Sequence, residues 1–276
     1  MTPEGAPRSD PPSGALPRRV ALAVEYDGGG FCGWQRQPHC RSVQQALEEA
    51  IERVARVPLT VHCAGRTDTG VHAAAQIVHF DTPVERPLRA WTFGVNSHLD
   101  RRVAVHWASE VEPDFHARFS ALDRRYRYTI LNRPARPGLH GGTLAWVRQP
   151  LDAARMHAAA QALVGEHDFQ SFRSAECQAN HAVRTLHAIA VRREGDRVVL
   201  TVRANGFLHN MVRILVGCLT LIGRGERPLD WMAALLAARD RREAAVTAPP
   251  HGLCLVQPSY PERFGVPDFR SLRAAP

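Results

Sequence analysis

The chain contains no lysine. All 35 of its basic residues are arginines, set against 27 acidic residues, which leaves a formal net charge of +8 at neutral pH and a sequence pI near 9.8. Arginine's planar guanidinium forms bidentate forks to phosphate, so a basic surface made from it points to nucleic acid. Genomic base composition can also exchange lysine for arginine with no functional meaning. Cysteine is sparse: Cys32, Cys40, Cys63, Cys177, Cys218 and Cys254 are scattered, with no CxxC pair. That argues against a structural zinc site or a disulfide framework and fits a reducing, cytoplasmic compartment. Although the chain has 14 histidines, the HExxH helix signature is absent, and no metal or cofactor is implied. Long apolar runs are missing too. The longest, Phe207 to Ile222, is broken by His209, Asn210 and Arg213, whereas a membrane span needs about 20 mostly uncharged residues. It reads as a buried helix in a soluble protein.

The chain is long enough, at 276 residues with 45% apolar content, for one large domain or two modest ones. Residues 1–18 hold five prolines and no apolar core. They match neither a signal nor a transit peptide and are expected to be a disordered tail; residues 263–276 are expected to form a second tail. Between them, one order of elements occurs twice. "RVALAVEY" alternates Val20, Leu22, Val24 and Tyr26 on one face, as a strand does. Ser42 and Gln45 form a capping-box signature before the helical stripe Val43, Leu47, Ala50, Ile51 and Val54. Strands near 59–64 and 75–80, an apolar helical segment near 87–97 and a strand near 103–109 complete β-α-β-β-α-β.

The second half repeats it. "RRYRYTIL" alternates Tyr126, Tyr128 and Ile130 against arginines and Thr129. A helix follows from about 151, with Asp152 near its start and Gly165 past its end. Strands at 184–193 and 197–204 are joined by the hairpin signal "EGD", then come a helix over 207–222, a shorter one over 229–239, and the strand "LCLVQP". The pattern predicts an α+β protein of two tandem split βαβ halves, 19–114 and 115–262, each a four-stranded ferredoxin- or RRM-like unit. Together they predict a mixed, mainly antiparallel sheet with helices on one side and a central cleft.

The segment "CAGRTDTGVHA" (63–73) places Arg66, Asp68 and His72 in one short polar run. Turn chemistry accounts for the glycines and for an Asp, but not for Arg66 beside it. Arg213 lies in the middle of the most apolar helix, where an unpaired charge costs several kcal/mol. Asp68 is the acid best placed to pair with it. A carboxylate held between guanidiniums stays ionised, which suits a nucleophile and not a general acid. Tyr126 would ordinarily be a core aromatic, but Arg124, Arg125 and Arg127 surround it, and arginine–aromatic interleaving is what base stacking requires. Trp34 in "GWQRQ" divides evenly between loop anchor and RNA contact. His72 and the His167–Asp168 pair carry no assignment.

"AGRTDTGVHA" is similar to the hallmark motif of the tRNA pseudouridine synthase A family. "YDGGGFCGWQRQ", "DFHARFSALDRRYRY", "GEHDFQSFR", "NGFLHNMVRILVG" and "LLAARDRREAAVTAPPHGLCL" resemble further family blocks in the family's order, over residues 19–262. The resemblance implies the pseudouridine synthase fold, Asp68 as nucleophile, Tyr126 packing on the target uracil, Arg213 paired with Asp68, and Arg66 helping to hold the flipped nucleotide. It implies isomerisation of uridine at positions 38, 39 and 40 of the tRNA anticodon stem-loop by a homodimer without cofactor. Whether the carboxylate attacks the base, attacks the sugar or removes a sugar proton stays open. Two other classes compete. A non-catalytic RNA-binding module is weakened by the missing RRM aromatic signature, and a carboxylate glycosidase by the lack of an apparent second acid near Asp68.

Overall fold

A computed structural model of the chain describes residues 18–267. The expected N-terminal tail, Arg18 apart, and residues 268–276 lie outside the described residues. The element order is β1 (Arg18–Tyr26), α1 (Val43–Ala55), β2 (His62–Cys63), β3 (His72–Thr82), β4 (Val103–Val111), β5 (Asp123–Asn132), β6 (Ala145–Val147), α2 (Ala153–Ala160), β7 (Gly165–Asp168), β8 (Val183–Glu194), β9 (Arg197–Ala204), α3 (Met211–Gly223), α4 (Trp231–Ala238) and β10 (Leu253–Ser259). The protein is α+β, with one mixed and mainly antiparallel sheet.

The two halves share that sheet. Its order is β4-β1-β3-β10-β5-β9-β8-β7, with β2 paired to β3 and β6 to β5. β10, the last strand, inserts between the halves: it runs antiparallel to β5 and parallel to β3, with Cys254 opposite His72 and Leu255 opposite Ala73. By pairing with both β3 and β5, β10 joins the two halves into the single mixed sheet.

Alternation along the strands sorts side chains onto two faces. Val20, Leu22 and Val24 join Tyr126, Tyr128 and Ile130 in a core that also takes the apolar stripes of α1, α2, α3 and α4. The opposite face of β1, Ala21 and Ala23, packs with Ala64, Ile77, Phe115, Ala117 and Phe264. Burial of Phe264 shows that the chain stays packed past residue 262.

Local chemistry explains where elements begin and end. The Ser42 side chain caps α1 by accepting from the Gln45 N–H at 3.2 Å, but the Gln45 amide turns to Glu49 at 2.9 Å, so only half of the capping box forms. Asp152 caps α2 through the Ala154 and Arg155 N–H groups. The strand expected over 59–64 shrinks to His62–Cys63 because the Val61 N–H is taken by the Glu48 carboxylate at 3.1 Å. α3 starts later than the apolar run: Asn210, at φ 61°, turns the chain into the helix only at Met211. The helical segment expected near 87–97 forms with a π-helical turn at Ala90–Gly94.

Cys32 and Cys40 come together across one loop, with Cα atoms 6.0 Å apart. No CxxC spacing announces it. The loop instead doubles back on itself, its base tied by the Cys32 N–H donating to Arg41 O at 3.0 Å.

The seam supplies a direct test of this architecture. Leu255 is fully buried on β10 between Ala73 and Tyr126. Leu255→Ala is expected to destabilise the protein by about 2–5 kcal/mol, by lost burial plus a residual cavity, as read from urea unfolding.

Candidate functional site

Asp68 sits in the loop between β2 and β3, and that loop is held from several sides. The buried Thr67 hydroxyl lies 2.8 Å from the Tyr26 hydroxyl, and Thr67 O accepts from the Trp34 N–H at 2.9 Å. Gln76, fully buried on β3, donates to Gly65 O at 2.6 Å. Trp34 is therefore a loop anchor, 1% exposed, and not a surface contact. Gly33 adopts φ +79°, and a Cβ there would meet Thr67 O at 2.8 Å, so only glycine lets the two loops pack backbone to backbone. Gly70, at φ +78°, packs against the Pro250 ring in the same way. Both glycines thus serve contacts within the protein.

The second half supplies the partners of the carboxylate. The Arg213 Nη1 lies 3.8 Å from Asp68 Oδ2, and the His209 Nε2 lies 3.3 Å from Asp68 Oδ1. Arg213 is fixed by other bonds: its Nε donates to Ala248 O at 2.8 Å and its Nη1 to Asn210 Oδ1 at 2.7 Å. The guanidinium is therefore aimed at Asp68 edge-on, without a bidentate fork. Both contacts are longer than the 2.7–2.9 Å of tight charge-assisted hydrogen bonds, so the carboxylate oxygens keep lone pairs free for chemistry.

Burial raises the Asp68 pKa above the ordinary carboxylate value; His209 and then Arg213 oppose that rise without cancelling it. Arg213 shows the reverse, its pKa lowered by burial and partly restored by Asp68. The expectation of a carboxylate clamped between two guanidiniums is corrected. One guanidinium and one imidazole flank it, and desolvation outweighs both. Arg66 is exposed and makes no hydrogen bond or ion pair among the described residues; it stands free on the outer side of the loop.

Tyr126 lies on β5 between Leu255 and Val202, only 8% exposed, with its ring edge-on to Phe207 at 5.0 Å. Burial, and next the nearby Asp68 charge, push its pKa up, so the phenol is neutral. A Cβ on Gly65 would lie 3.9 Å from its hydroxyl, which places Tyr126 directly beneath the Asp68 loop. The structure thus gathers Asp68, Tyr126 and Arg213 at the seam, with Arg66 at its rim.

His209 was not singled out by sequence reasoning. The available signal was its spacing, four residues before Arg213, but the turn at Asn210 is what aims it. His72 is tied within the protein: its Nδ1 lies 3.1 Å from the Gly28 N and 3.0 Å from Asp27 Oδ1, and its Nε2 lies 3.1 Å from His251 O. His167 bonds Val164 O, and Asp168 accepts from the Gln170 N–H and lies 3.5 Å from Arg239 Nε. Among the described residues, no cluster of three or more His, Cys, Asp or Glu side chains is arranged to hold a metal, and no helix is long and apolar enough to cross a membrane.

A single partly buried carboxylate flanked by one guanidinium and one imidazole, on a mixed sheet shared by two α+β halves, marks a candidate site for carboxylate chemistry. Comparison with known proteins makes the class specific. A family profile described as tRNA pseudouridine synthase matches residues 22–120 and 159–261. The tRNA pseudouridine synthase A of Thiobacillus denitrificans is 54% identical over 250 residues, covering 91% of this chain and 96% of that one. The enzyme of that name from Shewanella amazonensis is 55% identical over 90% of this chain and 95% of its own length. That of Stenotrophomonas maltophilia is 54% identical over 90% and 98%. The chain belongs to the tRNA pseudouridine synthase family.

The raised pKa of Asp68 has a thermodynamic consequence. Its folded-state pKa exceeds the unfolded value, so the stability it contributes is present below the unfolded pKa and is lost as pH rises through the folded one. Asp68→Asn mimics the uncharged form. It is expected to melt at or above the wild-type temperature at neutral pH, with the difference closing as pH falls below the carboxylate range. Thermal melts between pH 3 and 8 read this directly.

Proposed function

We propose that Asp68 is the nucleophile of a tRNA-uridine isomerase that acts on positions 38, 39 and 40 of the anticodon stem-loop. As a family member the protein converts uridine to pseudouridine in tRNA; the residue roles and target positions are our reading. The observation that carries it is the seam itself: a carboxylate with open lone pairs, set over a neutral tyrosine and reached by Arg213 and His209 from the other half.

The reaction breaks the bond from ribose to uracil N1 and remakes it through C5. The target must first leave the helical stack, at a cost of a few kcal/mol. Tyr126 offers its ring to the flipped uracil, and Arg66, exposed and unpaired by any acid among the described residues, is available to the RNA backbone or to the gap left in the stack. Arg213 and His209 act through Asp68. Both oppose the effect of burial on its pKa and so favour the ionised form of a desolvated, reactive carboxylate.

No acidic group figures among those acting on the Asp68 carboxylate, which disfavours a paired-carboxylate glycosidase. We further propose that the protein works as a homodimer in the cytoplasm, without cofactor, its arginine surface following the phosphate backbone across both copies.

Release of tritium from 5-tritiated uridine in tRNA tests the reaction. Wild type should release it with the strand intact, and Asp68→Asn should release less than a few per cent as much while binding tRNA within a few-fold of wild type. Residual turnover above that level contradicts the nucleophile assignment, and abasic RNA among the products contradicts isomerisation. Arg213→Ala removes a charge that favours the carboxylate, so the acid limb of the rate profile should move to higher pH. An unmoved limb means that Arg213 does not act on Asp68.

A further inference from the structure

The segment that leads from β4 into β5 turns one aromatic ring outward beside the site. Phe119 is 76% exposed, although Phe115 and Ala117 in the same segment are fully buried. The turn that presents it is tightly built. The His116 N–H donates to Ser120 Oγ at 2.9 Å, the Ser120 N–H returns to His116 O at 2.9 Å, and His116 Nδ1 faces the N–H groups of Arg118 and Phe119. Below it, the Ala117 N–H donates to His79 Nδ1 at 3.2 Å and the Tyr260 hydroxyl to Ala117 O at 2.6 Å. The turn is fixed on both sides, and it holds the exposed ring in one place.

The turn is tied to the Asp68 loop by one side chain. Arg124 donates to Ala64 O from Nε and Nη2, at 3.2 and 2.9 Å, and the same Nη2 donates to Arg118 O at 2.5 Å. Arg124 precedes Tyr126 by two residues on β5, so both side chains leave the same face of that strand. The order from rim to floor is therefore Phe119 and Arg118, then Arg124, then the Ala64–Gly65 backbone, then Tyr126 and Asp68.

The ring is presented for stacking. It leans on His116 at 4.4 Å between centroids and 35° between planes, and the Arg118 guanidinium carbon lies 5.5 Å from its centroid. Aromatic rings interleaved with arginine are sequence-tolerant platforms for unstacked bases. We propose that Phe119 is such a platform for a tRNA nucleobase next to the target uridine, with Arg118 on that nucleotide's phosphate. This inference rests on the tRNA-isomerase reading. It gives Phe119 a positioning role: stacking a neighbour there holds the strand open while the target base sits over Tyr126.

Equilibrium binding of the full chain to a tRNA transcript, at several salt concentrations, tests it. Phe119→Ala should weaken binding roughly tenfold and leave the slope of log affinity against log salt unchanged. Phe119→Trp should restore affinity. Arg118→Ala should make the slope shallower by about one. Wild-type affinity in Phe119→Ala overturns the platform. A lowered melting temperature that Phe119→Trp does not rescue overturns it in favour of a structural role. A changed sedimentation coefficient at unchanged RNA affinity overturns it in favour of a contact between copies. Tritium release by wild type, measured alongside, separates the two readings: no release defeats the isomerase, while the binding comparisons still decide the platform.

Discussion

A carboxylate in a half-dry place is the constraint around which this protein is arranged. Asp68 keeps 29% of its side chain exposed, and burial of the rest raises its pKa more than His209 and Arg213 together lower it. The imidazole and the guanidinium are near enough to favour the charged form and too far to occupy its oxygens. A tight bidentate pair would have been more stable and less useful, because it would saturate the lone pairs that the chemistry needs.

Holding that balance requires a position that does not drift, and the fold provides it through the seam. The loop that carries Asp68 belongs to the first half of the chain, and the helix that carries Arg213 belongs to the second. β10 fixes one relative to the other by lying between β3 and β5. The segment just before it adds further ties: Ala248 O takes the Arg213 Nε–H, Pro249 O takes the Tyr128 hydroxyl, and Pro250 packs under Gly70. Three consecutive residues thus join the helix, the central strand and the Asp68 loop. The Gly33–Thr67 approach closes the remaining side.

Much of this was legible in the sequence where local rules govern. The alternation in "RVALAVEY", the Ser42 cap and the "EGD" hairpin depend on neighbours in the chain, and the corresponding elements form at or close to the expected positions. Arg213 stood out because a charge in an apolar helix demands an anion. What was not legible depends on long-range geometry. The expected strand at 59–64 loses its first half to a Glu48 side chain from another element, the Cys32–Cys40 closure needs the loop to double back, and His209 reaches Asp68 only through the left-handed turn at Asn210. Tyr126, flanked by arginines in the sequence, lies buried because strand alternation sends its neighbours to the other face.

The account turns on which influence sets the charge of Asp68, and that can be observed without turnover. Carbon-13 NMR of the protein labelled at aspartate carboxyls, with Asp68 assigned by its loss in Asp68→Asn, gives its titration midpoint. The account predicts a midpoint above the ordinary value of 3.8, with burial prevailing over the flanking cations. A midpoint at or below that value would show that His209 and Arg213 prevail, and would contradict the picture of a carboxylate kept reactive by partial desolvation.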